Sequence, residues 1–319
     1  MLHKLKDDGI KVVRYSSTYR DQWNEFTYNA SNGLFLFHRD YLEYHQHRFQ
    51  DFSLLFFQAR KLIAIIPLNA AGTVIASHAG LTYGGLIISK RIKSIAFLKI
   101  FDALLVFLRA HGFTTLEYKP IPFVFHRQVA LDDQYALFLH KARLLTRNLS
   151  SFIDLQSAVH LTKGRKWSLK KAQQAPWELK ESQDYATFMT LVQEILQTKY
   201  HVSPTHTAAE LNYLADKFPQ NIKLIGVYQA EILLGGCVIY LSDQVVHLQY
   251  IAITPLGKTQ HALDWIIHYL VQTYRSTKKY LNFGISPGKD TYGLNAGLIK
   301  NKESFGALSL PSDIYEIKI

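Results

Sequence analysis

Alternating apolar and polar positions divide the first half of the chain into short strands and one long helix. Two apolar runs separated by Arg60-Lys61 predict a β-hairpin, and β-branched segments bounded by glycine predict further strands. A longer apolar segment that stops at His111-Gly112 predicts a helix. In chain order these elements are Phe52–Ala59, Leu62–Asn69, Thr73–His78, Gly85–Ser89, Lys93–Ala110 and Thr114–Lys119.

The second half repeats this order after two predicted helices. The two helices are followed by three strands, a largely apolar helix and one more strand. These elements are Tyr185–Tyr200, Ala208–Phe218, Ile222–Gln229, Ile232–Leu241, His247–Ile253, His261–Tyr274 and Tyr280–Ile285. The repeat predicts two copies of one mixed α/β unit. We place the boundary near residue 150, just before Ser151–Leu155 resumes a strand pattern, which gives domains 1–150 and 151–319.

Composition excludes several classes of protein. The 319 residues are 48% hydrophobic, 13% aromatic and 19% charged, which is not the composition of a disordered chain. The single cysteine, Cys237, cannot form an internal disulfide or a cysteine-based metal cluster, so we expect a reducing, cytoplasmic setting and no metal. The longest apolar segment, Ile92–Leu108, is interrupted by charges, so we expect no transmembrane segment, and the start lacks a signal-peptide pattern.

The chain carries a positive surplus that is unevenly distributed. There are 36 Lys and Arg against 25 Asp and Glu, a formal net charge of +11. Residues 1–150 hold 19 basic and 11 acidic side chains, whereas residues 151–319 hold 17 and 14. Such a surplus favours an anionic partner, either a nucleotide, an acidic membrane surface or RNA, although it also serves solubility alone.

Seven ordered segments resemble one bacterial family. They read FHRDYLEYHQHRF (residues 37–49), SHAGLTYGGLII (77–88), TKGRKWSLKKA (162–172), HLQYIAI (247–253), NFGIS (282–286), GLNAGLIKNKESFGA (293–307) and DIYEI (313–317). In this order they resemble the FemAB-like acyltransferases of the GNAT superfamily, of the type described for polysaccharide biosynthesis. The resemblance covers nearly the whole chain.

The resemblance implies an α/β (α+β) fold of two tandem GNAT-like lobes, with mixed central sheets flanked by helices. Residues 1–150 would form the N-terminal lobe, and residues 151–319 the lobe that carries the acyl-donor site. The implied chemistry is transfer of an acyl group from a thioester, or of an aminoacyl group from tRNA, to an amine. Acyl-CoA, such as acetyl-CoA, would be a co-substrate, and no bound cofactor is expected.

The loop TPLGKTQ (Thr254–Gln260) occupies the position of the family's pyrophosphate-binding loop. GNAT enzymes hold the acyl-CoA pyrophosphate with backbone N–H groups at a helix N-terminus. Gly257 would admit a phosphate, and Lys258 and Thr259 would contact it. The loop lacks the initial Arg or Gln and the second glycine of the family signature, so an ordinary helix cap is the alternative interpretation.

Two residues are candidates for proton transfer. His247 suits a general base because its pKa lies near neutrality, although one strand histidine is also a common core residue. Lys302 stands four residues before Gly306, where many family members have a general-acid tyrosine; it would need burial to lower its pKa. Strand alternation predicts His247 and Gln249 on one face and Tyr250 on the other.

Further substrate contacts are predicted from segments that match the family. Their polar groups follow strands or occupy a basic helix, and each has a structural alternative such as a turn, a cap or a solvated helix face. With Gln249 and Tyr250, the predicted substrate-binding residues are His78, Tyr83, Lys170, Ser286 and Asn295.

The sequence therefore leaves three functions open. The first is an N-acyltransferase that uses acyl-CoA to modify an amine, as on a nucleotide-linked amino sugar in cell-surface polysaccharide synthesis. The second is a Fem-type aminoacyltransferase that uses aminoacyl-tRNA and a peptidoglycan precursor, for which tRNA is a partner. The third is a non-catalytic sugar-nucleotide-binding protein. None of the three involves DNA.

Overall fold

A computed structural model describes residues 9–319 and divides them into two compact units. The first unit comprises the described residues up to Arg147 together with Ser312–Ile319, and the second comprises Asn148–Pro311. Both contain mixed sheets and helices, which confirms the predicted α/β class. Within residues 9–319, no helix combines the length and apolar character needed to cross a bilayer.

The described part of the first unit contains two sheets and four α-helices. Its elements are β1 (Ile10–Arg14), α1 (Arg20–Asn29), α2 (Arg39–Glu43), β2 (Gln50–Asp51), β3 (Leu54–Gln58), β4 (Lys61–Ile66), β5 (Asn69–Ala71), β6 (Val74–Ala76), β7 (Ile87–Ile88), α3 (Ser94–Ala110), β8 (Thr115–Tyr118) and α4 (Asp132–Leu139). One sheet has the order β1-β3-β4-β7 and is antiparallel throughout. The other contains β2, β5, β6 and β8, with a parallel pairing of β6 and β8.

The hydrophobic pattern of α3 explains why this helix forms and where it packs. Its buried side chains recur every three or four residues and join the core formed by β3, β4 and β8. They are Phe97, Ile100, Phe101, Leu104, Leu105 and Leu108. The helix ends at Ala110 with His111 as its C-cap, and Gly112 follows with a φ of +84°, which agrees with the predicted stop at His111-Gly112.

Two strands each begin in one unit and end in the other. They are β9 (Arg143–Asp154) and, after the second unit, β15 (Leu308–Lys318). β9 starts eight residues before the strand pattern expected from Ser151. The early part of β9 is linked within the first unit to β15 by Arg143 with Glu316 and Arg147 with Asp313. The last part of β15 pairs with β8, where Tyr315 lies opposite Tyr118.

The second unit is built on one mixed sheet. Its further elements are α5 (Lys163–Ala172), β10 (Glu178–Ser182), α6 (Tyr185–Tyr200), α7 (Ala208–Lys217), β11 (Ile222–Gln229), β12 (Ile232–Leu241), β13 (Val245–Ile253), α8 (Pro255–Thr259), α9 (Ala262–Tyr274), β14 (Tyr280–Ile285) and α10 (Ala296–Ser304). The strand order is β10-β11-β12-β13-β14-β9. Only the β13–β14 pairing is parallel among these neighbours.

Helices α6 and α9 both contact β12 and β13, which explains the continuous apolar run in β12. Cys237 lies in this run, fully buried, and burial raises the pKa of its thiol. The capping box of α7, formed by Thr207 and Glu210, fixes where that helix begins.

Candidate active site

Strands β13 and β14 separate directly after His247. Their parallel pairing comprises Val245 with Tyr280, Val246 with Leu281 and His247 with Asn282. β13 then continues to Ile253 and β14 to Ile285 without further mutual pairing. Because the ladder ends there, the backbone groups of β13 that face β14 beyond His247 have no partner in β14. His247 and Asn282 form the last pair of this ladder in the second unit.

Two local irregularities accompany the separation. In β14 the register against β9 shifts between Asn282 and Gly284, and Gly284 adopts a φ of +70° that favours glycine. In β13 the register against β12 shifts so that Gln249 is an extra residue between Leu248 and Tyr250. Bulges of this kind redirect side chains and occur often beside active sites.

Asn282 fixes the tautomer of His247. The Asn282 side chain is buried, and its Oδ1 accepts the backbone N–H of Gly284 at 2.8 Å. The Nδ1 atom of His247 lies 2.9 Å from the same Oδ1. Because an amide oxygen only accepts hydrogen bonds, Nδ1 carries the hydrogen and Nε2 carries the lone pair. The Nδ2 of Asn282 donates to Ser150 Oγ at 3.2 Å, which holds the amide in this orientation.

The surroundings keep the His247 ring neutral at physiological pH. Burial lowers its pKa below 6.5, and the positive charge of Lys302 acts in the same direction. Hydrogen bonds with Asn282 and Gln249 oppose this shift without reversing it. A neutral imidazole with a fixed tautomer can accept a proton at Nε2.

The predicted residues Gln249 and Tyr250 belong to the same network as His247. Gln249 is hydrogen-bonded to both His247 and Tyr250, and the Tyr250 hydroxyl lies 2.8 Å from Nδ1 of the buried His206. The prediction that Tyr250 faces away from Gln249 is therefore wrong. The extra residue at Gln249 interrupts the alternation on which that prediction depended.

Lys302 connects α10 to the end of β14. Its side chain is only 5% exposed, and Nζ donates to Gly284 O at 2.8 Å, Ile285 O at 3.0 Å and Ser286 Oγ at 2.8 Å. Burial lowers its pKa from 10.5 to about 8. An ammonium has three hydrogens, and all three have acceptors in the protein. This geometry positions the strand end, whereas a proton-donating role for Lys302 stays a prediction.

Ser286 and Asn295 also lie at the end of β14, close to Lys302. The sequence places polar groups there, just after a strand and at the start of the next helix. Ser286 is fully buried, and its carbonyl accepts the backbone N–H of Asn295 at 3.0 Å. Asn295 caps α10 by accepting the N–H of Leu298 at 2.9 Å. Both side chains therefore have structural partners beside Lys302.

The loop after β13 uses Gly257 for packing. Thr254 Oγ1 accepts the Gly257 N–H at 3.0 Å, and Pro255 at the start of the five-residue helix α8 has no N–H to offer. A Cβ on Gly257 would lie 2.2 Å from the carbonyl oxygen of Leu234. Lys258 and Thr259 are exposed next to it. Contact with a pyrophosphate at these three residues stays a prediction.

Replacing Gly257 by alanine is expected to destabilise the protein by about 1–3 kcal/mol, because the new methyl group overlaps the backbone of β12. Gly164 in α5 is the matched control, since nothing lies within 4 Å of its Cβ position. Alanine at Gly164 is expected to stabilise by about 0.5–1 kcal/mol. Urea unfolding of both variants measures the difference, and equal effects would show that Gly257 has no packing role.

His78 and Tyr83 are placed in the first unit, whereas the His247 network lies within the second. His78 is buried against the rings of His45 and Phe49, and burial lowers its pKa to about 3. Tyr83 is buried against Phe125. Their substrate contacts stay predictions.

The basic helix α5 presents exposed lysines, with one arginine turned inward. Lys163, Lys166 and Lys170 are exposed. Arg165 instead binds both oxygens of Asp264 at 3.1 Å and stacks on the ring of Phe305. The exposed lysines of α5 are accessible to an anion. Arg165 instead holds α5 against α9 through Asp264.

The structure also adds residues that the sequence did not single out, namely Asn282, Ser150 and His206. One feature of the sequence could have pointed to Asn282: it is a polar residue between Leu281 and Phe283 in an otherwise apolar strand. Among residues 9–319, no group of three or more His, Cys, Asp or Glu side chains is arranged to hold a metal ion.

No family model and no curated protein matches the sequence. The crystal structure of FemX superposes with a TM-score of 0.71 at 9% identity, covering 97% of each chain. The fold is that of the tandem GNAT-like proteins. A tandem GNAT protein from the clavulanic acid biosynthesis pathway agrees, with a TM-score of 0.51 at 9% identity over 97% of this chain and 98% of that one. L-PGS from Bacillus licheniformis covers 80% of this chain and 81% of its own, at 11% identity and a TM-score of 0.54.

Proposed function

We propose that this protein is an acyltransferase that moves an activated acyl group to an amine, at the site where β13 and β14 separate. The observation that carries the proposal is the His247–Asn282 pair. It presents a neutral imidazole, with its lone pair on Nε2, at the point where the strand ladder ends. The tandem GNAT-like fold supports this class of reaction.

The proposed reaction needs a base and a polarised carbonyl. An amine that arrives as an ammonium must lose a proton before its nitrogen can attack the acyl carbon, and His247 Nε2 is positioned to accept that proton. Backbone N–H groups of β13 that face the opening can polarise the acyl carbonyl, because β14 does not pair with them. The new amide bond forms as the bond from the acyl carbon to the donor's sulfur or oxygen breaks, and the departing sulfur or oxygen takes the second proton of the amine.

For the donor and acceptor we propose acyl-CoA and an amino group on a nucleotide-linked sugar, in the cytoplasmic synthesis of cell-surface polysaccharide. The family resemblance of the sequence supports this choice. The positive surplus of the chain suits an anionic acceptor or donor.

An aminoacyl-tRNA donor with a peptidoglycan-precursor acceptor is the second candidate, and the loop after β13 favours it. The Gly257 N–H is already bonded to Thr254, and Pro255 has no N–H, so two donors that a CoA pyrophosphate would use are missing. The exposed lysines of α5 provide an alternative contact for a tRNA backbone.

Two assays separate the candidates. Incubation with acetyl-CoA and a panel of nucleotide amino sugars should release free thiol, and His247→Gln should abolish the release. Filter binding with aminoacyl-tRNA should show affinity that falls steeply with salt, and Lys166→Glu with Lys170→Glu should weaken it. Binding without turnover of either donor would instead identify a non-catalytic protein and contradict the proposal.

A further inference from the structure

The outward faces of α3 and α4 carry large apolar side chains in contact with solvent. On α3 these are Ile95 and Val106, at 67% and 64% exposure. On α4 they are Tyr135, Phe138 and Leu139, at 56%, 73% and 47% exposure. We call these five residues the α3/α4 surface. Exposed apolar residues are ordinary when scattered, but Tyr135, Phe138 and Leu139 lie within about one turn of α4, and such a cluster indicates an interaction site.

Helix α4 is apolar on both of its faces. Ala136 and Leu137 are buried in the core of the first unit, while Tyr135, Phe138 and Leu139 point outward. A surface helix normally turns polar residues to water, so the outward face of α4 is not explained by folding of the first unit. Its C-cap, His140, bonds to Asp102 of α3 at 2.9 Å, which fixes the two helices side by side.

The charges around this surface are mainly positive. Arg109, Lys141 and Arg143 are exposed on or next to these helices, and Lys99 lies on the same stripe of α3 as Val106. Of the nearby acids, Asp102 is bonded to His140, Asp132 lies in the first turn of α4, and Glu316 is paired with Arg143, which neutralises that positive charge. The first 150 residues supply 19 of the 36 basic side chains but 11 of the 25 acidic ones, so the surplus is concentrated in this unit.

We propose that the α3/α4 surface docks on an anionic lipid bilayer. Tyr135 and Phe138 would enter the headgroup region, where aromatic rings are favoured, and the surrounding Lys and Arg side chains would contact acidic headgroups. A second copy of the chain fits less well, because a symmetric contact would bring together two surfaces that carry the same positive surplus. This proposal is independent of the acyltransferase proposal, since it uses only residues of the first unit.

Cosedimentation of the full chain with vesicles tests the docking. The protein should bind vesicles of phosphatidylglycerol mixed with phosphatidylcholine, bind weakly to phosphatidylcholine alone, and dissociate as salt is raised. Phe138→Asp should lower the partition coefficient about tenfold or more, since a buried phenyl group contributes at least one decade. Lys141→Glu should lower it about fivefold or more.

The matched control is Tyr292→Asp, because Tyr292 is 84% exposed in the second unit and should leave vesicle binding unchanged. Circular dichroism and thermal unfolding check that each variant is folded. Because Phe138 is exposed, its replacement should leave the fold intact. Absence of binding to the acidic vesicles, or an equal loss in Phe138→Asp and Tyr292→Asp, would overturn the proposal. Sedimentation without lipid measures the oligomeric state. If the wild type is a dimer and Phe138→Asp is a monomer, the surface binds a second copy of the chain and the lipid proposal is wrong. Capture of an acidic protein, with no affinity for vesicles, would assign it to a protein partner.

Discussion

Replacing His247 by glutamine is expected to lower the rate of acyl transfer by about 10²- to 10⁴-fold at neutral pH, with the protein still folded. Glutamine retains a polar side chain beside Asn282 but cannot accept and release a proton near neutrality. Steady-state turnover with saturating donor and acceptor measures the effect. His268→Gln is the matched control, because His268 is also half-buried, has a pKa lowered by burial and lies on α9 outside the network. A similar loss in both variants would contradict a special role for His247.

The pH dependence of the same rate gives a second readout. Because the pKa of His247 is below 6.5, the imidazole stays neutral through most of the physiological range, and the rate should fall only as pH drops below that value. Asn282→Asp places a carboxylate beside Nδ1, which raises the pKa and should move this acid limb to higher pH. An unmoved acid limb in Asn282→Asp would show that another group limits the rate.

The stability of the protein relative to Lys302→Met is expected to increase by up to about 3 kcal/mol between pH 8 and pH 10.5. The pKa of Lys302 drops from 10.5 to about 8 on folding, so below pH 8 both the folded and the unfolded chain bind the proton. Above pH 8 the folded protein releases the proton while the unfolded chain retains it, and stability rises with pH. The methionine variant lacks the titration of Lys302 but has every other titratable group of the wild type. The contributions of those groups therefore cancel in the difference between the two stabilities.

Urea unfolding of the two proteins at matched pH values measures this difference. Lys300→Met is the control, because Lys300 is exposed on the same helix and its removal should change stability by less than about 0.5 kcal/mol at every pH. A difference between wild type and Lys302→Met that stays flat across the window would mean that Lys302 is not a buried ammonium at neutral pH.

The strands and helices of the second unit were predictable because each depends on local pattern. Ile222–Gln229, Ile232–Leu241 and Tyr280–Ile285 have the predicted bounds, and Tyr185–Tyr200 is the predicted helix. Amphipathic and apolar periodicities fix such elements over a few residues, without reference to distant parts of the chain. The same local reasoning led to the candidates His247 and Gln249, which are in contact.

The partners of His247 were not predictable in this way. Asn282 is 35 residues away and meets His247 only through the register of two parallel strands, which periodicity does not specify. His206 reaches Tyr250 from the segment before α7, and the side on which Tyr250 lies depends on the extra residue at Gln249. Likewise, the family resemblance implies a pyrophosphate contact at Gly257, and the packing of this glycine against Leu234 is visible only in three dimensions.

The return of residues 312–319 to the first unit has a consequence for biosynthesis. Strand β8 receives its partner β15 from residues made nearly 200 positions later, since Tyr118 lies opposite Tyr315. At a translation rate of about 5–20 residues per second, the interval is roughly 10–40 s. During that time a nascent first unit would present the β8 edge to solvent, and open strand edges invite pairing with other chains. A nascent chain held on the ribosome before residue 312 would therefore be a favoured client for chaperones, and release would depend on completing that strand.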